Sequence, residues 1–106
     1  FGNTPLMIAC VFGALKCIIA LCVAGVDVDA KNNFGFTAML LCCLNLKFKS
    51  LTTLLEDPRI PNHPDVSISD NLNRSIMHYL AIIGHGNLFE KLMAQGIDYK
   101  RLDNNK

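Results

Sequence analysis

The chain repeats itself. Placing residue 2 onward over residue 35 onward sets GNTPLMIAC on GFTAMLLCC, with Gly2 on Gly35, Thr4 on Thr37 and Cys10 on Cys43, an offset of 33 residues. An offset of 71 pairs Thr4 with Ser75, Gly13 with Gly84, Leu21 with Leu92, Gly25 with Gly96 and Asp27 with Asp98. Since 71 is 33 plus 38, the middle copy carries five extra residues. They fall in the Pro-rich stretch RIPNHPDVSISD, where added loop length costs little. The copies run about 2–34, 35–72 and 73–106 and form a single repeat domain. A period of this length means that like units stack on one another.

Each unit has a physical grammar. In the first, Thr4 suits a helix N-cap and Pro5 the first turn, where its missing N–H costs nothing. Leu6, Ala9 and Cys10 share one face of that helix, and Gly13 stops it as a left-handed cap. A second helix is predicted from about Leu15 to Ala24, with Ile18, Leu21 and Cys22 as its apolar stripe and Gly25 at its end. VDVDAKNNFG then alternates and turns, as an extended hairpin finger does. Neither helix can bury its stripe alone, so the expected fold is an all-α solenoid of three helix–turn–helix units with hairpin loops.

At this point the chain resembles the ankyrin-repeat family. The 33-residue period, TPLM and SIMH where T-P-L-H is expected, and the Gly-x11-Gly spacing carry the resemblance over essentially the whole chain. Copy two departs most, with Leu46 and Pro58 in place of both helix-ending glycines and TAML for TPLH. Copy three lacks the Pro and has Asn73 at the entry glycine.

Composition narrows the chemistry. A net charge of +1 gives no electrostatic footprint for nucleic acid. The longest apolar run, Cys17 to Val26, is 10 residues and too short to span a bilayer, so no membrane insertion is expected. Opening on Phe1-Gly2 without Met or a signal pattern, the chain reads as a piece of a longer protein. Five cysteines with no CxxC pair fit a reducing compartment, hence an intracellular location, cytoplasmic or nuclear. Most cysteines share columns with small or apolar residues: Cys10 with Cys43 and Ala81, Cys42 with Ala9 and Leu80, Cys22 with Leu55 and Met93. Cys17 shares its column with Ser50 and Leu88. They are expected to be structural, and thiol-redox or metal chemistry is the minor alternative.

His78 and His85, two helical turns apart in SIMHYLAIIGHG, first suggest a ligand pair. The columns argue otherwise. His78 falls on Met7 and Leu40, which cannot do its chemistry, and the resemblance implies a His that ties neighbouring loops. His85 is expected to be exposed in an inter-helix turn, and His63 lies in the insertion. Glu56-Asp57 reads as a solvated helix end. With no phosphate loop and no nucleophile elbow, no enzymatic activity, cofactor or metal is expected.

The resemblance implies a concave binding surface made by hairpin tips and the exposed side of each first helix, presented to a protein or peptide partner. Carried over, the tip row is Asn33 and Phe34, then Asn71 and Leu72; the next row is Asn3, Phe36 and Arg74. The helix row is Val11 and Phe12, Leu44 and Asn45, Ile82 and Ile83. Apolar residues dominate where a soluble repeat is usually polar, which marks an interaction strip if they are exposed. Phe34 either meets a partner or packs under an adjacent hairpin, and the insertion is either a partner-specific loop or neutral. The alternative to binding is architectural: a stretch of a longer solenoid whose ligand binds elsewhere. Apart from flanking repeats the module is expected to be monomeric.

Overall fold

The computed structural model describes residues 2–95. Within them the chain forms α1 Pro5–Phe12, α2 Leu15–Val23, α3 Ala38–Leu44, α4 Phe48–Glu56, α5 Ile76–Ile83 and α6 Gly86–Ala94. Among the described residues there is no strand beyond one isolated antiparallel bridge, Ser69 with Ser75. Successive helices pair as α1–α2, α3–α4 and α5–α6, and the pairs stack through α1 on α3, α3 on α5 and α2 on α4. The result is an inner row (α1, α3, α5) and an outer row (α2, α4, α6).

The starts and stops follow the chemistry of helix ends. Thr4 accepts from the Met7 N–H at 3.2 Å, Thr37 from Leu40, and Ser75 from Met77. In α5 the cap is reciprocal, because the Ser75 N–H donates to His78 Nδ1 at 3.0 Å; in α1 Met7 Sδ makes the weaker equivalent with Thr4. Gly13 and Gly84 close their helices at φ 71° and 87°. Leu46, in the same column, is driven to φ 56° although it is no glycine. The turn geometry of copy two is therefore kept, at the local strain a side chain brings to left-handed backbone.

Between the first and second pairs lie Leu6, Met7, Cys10, Ile18 and Cys22, all buried. Met39, Leu40, Cys43 and Leu51 are buried in turn on the second pair, as are Ile76, Leu80, Leu88 and Leu92 on the third. This is a continuous core, to which the first two pairs contribute from shared columns and the third from the neighbouring columns that face the pair before it. The outer row is tied between α4 and α6 by polar contacts: Lys91 pairs with Glu56, and His85 meets the Phe48 ring edge-on at 4.8 Å. The insertion is anchored as well. Ile60 is buried, His63 Nδ1 lies 3.1 Å from the Leu54 carbonyl, and the Asp65 N–H donates to Asp29 Oδ1 at 3.0 Å.

Candidate functional site

Two fingers project beside the inner helices, and each closes on one side-chain oxygen. In the first, Asn32 Oδ1 accepts from the N–H groups of Phe34 and Phe36 at 2.9 and 3.0 Å, while the Asn32 N–H donates to the Phe36 carbonyl. In the second, Asp70 Oδ1 accepts from Leu72 and Arg74, both at 2.9 Å, and the Asp70 N–H donates to the Arg74 carbonyl. Asn32 and Asp70 are buried polar groups, and this pairing satisfies them. The return residue is left-handed each time: Gly35 at φ 84° and Asn73 at φ 61°.

The fingers also lie on one another. The side chain of Asn33 sits over Gly2, and that of Asn71 over Gly35, so that a Cβ at Gly35 would collide with it. Asn32 Nδ2 donates to Asn3 Oδ1 at 2.9 Å, linking the first finger to the entry of α1. Asp70 instead binds forward into the next repeat, accepting on Oδ2 from Arg74 Nε at 2.9 Å and from the Tyr79 hydroxyl. The Arg74 guanidinium lies 5.5 Å from the Tyr79 ring centre. Burial acts to raise the Asp70 carboxyl, but the bonds from Tyr79, Arg74 and Leu72 outweigh it and hold it below the usual range. Burial first, and then the bond to Asp70, push the Tyr79 phenol up.

This frame fixes where the expected binding residues stand. Phe34 and Leu72, at the finger tips, are 53% and 65% exposed. Leu44 and Ile82, at the ends of α3 and α5, are 45% and 76% exposed, and Asn33 and Asn45 are exposed beside them. Val11, Phe36, Arg74 and Ile83 are half-buried, and Phe36 and Ile83 pack against the core. Phe12 is the most exposed large apolar residue, at 79%, but it stands elsewhere. It lines an open apolar groove of about 590 Å³ with Pro5, Ile8 and Ala9 of α1 and Ala14, Cys17, Ala20 and Leu21 of the turn and α2. No residue of the second pair contributes to that groove.

The chemistry-bearing side chains are occupied by scaffold tasks. His78 serves the α5 cap. His85 is half-buried rather than exposed, since its Nδ1 accepts from the Leu88 N–H at 3.3 Å and caps α6. Cys10, Cys22, Cys42 and Cys43 are buried, whereas Cys17 is exposed in the groove, against the expectation that every cysteine packs. Burial pushes the Cys43 thiol up to about 12, and a bond to Cys10 together with burial raises that of Cys42. Glu56 and Asp57 are ion-paired rather than simply solvated: Arg59 binds Asp57 at 2.7 Å and holds it down to about 2. Among the described residues no group of three or more His, Cys, Asp and Glu is placed to hold a metal ion, and no helix is long and apolar enough to cross a membrane.

Sequence reasoning passed over Asn32 and Asp70, the acceptors that shape both fingers. The signal was present, because NNFG and DNLN align at an offset of 38 and put Asn and Asp in one column.

Comparison with known proteins agrees with this architecture. The family model for ankyrin repeats (three copies) matches residues 1–65, which hold the first two helix pairs and the first finger. The third pair, beyond the matched residues, has the same cap and left-handed stop, and its α5 packs on α3 as α3 packs on α1. No curated protein sequence matches the chain.

Proposed function

The chain belongs to the ankyrin-repeat family, and on that premise we propose that it binds a protein or peptide partner along its concave side. Ankyrin repeats are generally protein-interaction modules and generally non-catalytic. One observation carries the finer reading: Phe34 and Leu72 occupy one column and Leu44 and Ile82 another, and all are exposed. Matching apolar side chains thus recur on successive repeats, as an extended partner requires. Covering each is worth roughly 1.5–3 kcal/mol, so several together supply much of the ~8 kcal/mol of a micromolar complex. Arg74 and Asn45 orient the partner at the edge of the strip. Val11, Phe36 and Ile83 support it from half-buried positions, and Asn33 borders it.

The partner class follows from charge and shape. A balanced surface offers nothing to a polyanion, so a protein or peptide with apolar anchors fits and nucleic acid does not. Five cysteines without a CxxC pair support action inside the cell, in cytoplasm or nucleus.

A displayed peptide library selected on the chain tests the reading. Binders should lose at least about tenfold in affinity for Leu72→Ser with Ile82→Ser, while the helical circular-dichroism signal stays unchanged. Binders that ignore both substitutions would overturn it.

A further inference from the structure

We propose that the turn joining α3 to α4, together with the turn before α2, forms a binding site for one phosphate group. It lies at the helix ends opposite the fingers and does not depend on the concave strip.

An open cavity of about 240 Å³ separates the two turns, bordered by Gly13 and Leu15 on one side and residues 46–50 on the other. Its polar side chains are two ammonium groups and a hydroxyl, with no carboxylate among them. Lys47 and Lys49 are exposed, and among the described residues neither has an ion-pair partner. The helix end adds to this. No side chain caps α4, so its first-turn N–H groups are open and carry the positive end of the helix dipole. Across the cavity α2 is uncapped as well.

The third repeat shows what the second lacks. There His85 Nδ1 accepts from the Leu88 N–H at 3.3 Å and closes the first turn of α6. Lys47 and Ser50 stand in those two columns, and an ammonium has nothing to accept with. A further observation is independent of the helix end. Ser50 lines the cavity and is 1% exposed, yet its hydroxyl has no hydrogen-bond partner among the described residues. A buried hydroxyl left unsatisfied is costly, and an acceptor in the cavity would satisfy it.

Charge selects the occupant. Two lysines and a helix N-terminus match the roughly −1.5 to −2 charge of a phosphomonoester, whose oxygens accept several bonds at once. A carboxylate brings one charge and leaves a lysine unmatched. Because the whole chain carries only +1, the site is local and suits a single phosphate, not a polyanion. Inorganic phosphate and a phosphorylated side chain of a partner share this chemistry.

The test follows amide shifts of the labelled chain at constant ionic strength as chloride is replaced by inorganic phosphate or by N-acetyl-phosphoserine amide. Saturating shifts should centre on Phe48, Lys49 and Ser50 and extend to Gly13 and Leu15. Saturation by either probe supports the site, and the one that saturates at lower concentration names the source. Lys47→His supplies the third repeat's cap and removes a charge. It should weaken binding at least about tenfold without lowering the melting midpoint. Ser50→Ala should weaken binding at least about threefold, and Lys31→Gln, beside the first finger, should leave it unchanged. Binding that survives Lys47→His undiminished would overturn the proposal, as would shifts that saturate with neither probe.

Discussion

The two fingers are closed by the same pair of backbone bonds, made to a neutral amide in one and to a carboxylate in the other. Asn32 has an N–H to spare and uses it on Asn3, so the first finger is fastened to the repeat entry before it. Asp70 has only acceptors and draws in Arg74 and Tyr79, so the second finger is fastened forward to α5, the helix that follows it. Finger shape therefore needs just one oxygen at that column, and the remaining atom of the side chain decides which element the finger is anchored to. Charge strengthens the second anchor at the cost of making it titratable.

The difference is open to mutation. Asp70→Ala strands the Leu72 and Arg74 amides, the Tyr79 hydroxyl and a half-buried guanidinium. It should cost roughly 2–4 kcal/mol in urea unfolding, the largest effect expected here. Asn32→Ala removes only neutral bonds and should cost less, about 1–3 kcal/mol by the same measurement. Should the two costs be equal, the charge on Asp70 adds nothing and the contrast fails.

Acid sharpens the contrast further. The folded Asp70 carboxyl lies below its ordinary value, so its contribution is complete above the ordinary carboxylate range. That contribution fades as pH falls through the lowered folded value. Hydrogen exchange at the Leu72 and Arg74 amides should accelerate on this descent beyond the intrinsic rate change, while protection at Phe34 and Phe36 holds. Asn32→Asp should transfer the same acid sensitivity to the first finger. The smallest effect belongs to the return residue: Asn73→Gly removes the Cβ from left-handed backbone at φ 61° and should stabilise by about 0.5 kcal/mol in thermal unfolding.

Period, caps and stops made the helix pairs legible. Thr4, Thr37 and Ser75 cap as their columns require, and Gly13 and Gly84 terminate. Leu46 shows why this persists where the local signal is lost, because packing of α3 on α4 imposes the left-handed turn on a residue that disfavours it. The surface was less legible. Phe12, Asn45 and Ile83 share one column, yet the first two are exposed and Ile83 packs against the core. Exposure in a stack is a property of neighbours, not of position. His85 was missed as a cap for a related reason: its bond to Leu88 is set by a turn whose backbone the residue types alone do not specify.

The central claim is that fingers held rigid by Asn32 and Asp70 present Phe34 and Leu72, with Leu44 and Ile82 beside them, to a protein partner. Amide chemical-shift mapping of the labelled chain against a library-selected peptide tests this most directly. The account predicts that the largest shifts fall at these residues and their finger neighbours, with the outer row from Leu15–Val23 to Gly86–Ala94 unmoved. Shifts confined to the outer helices would contradict it.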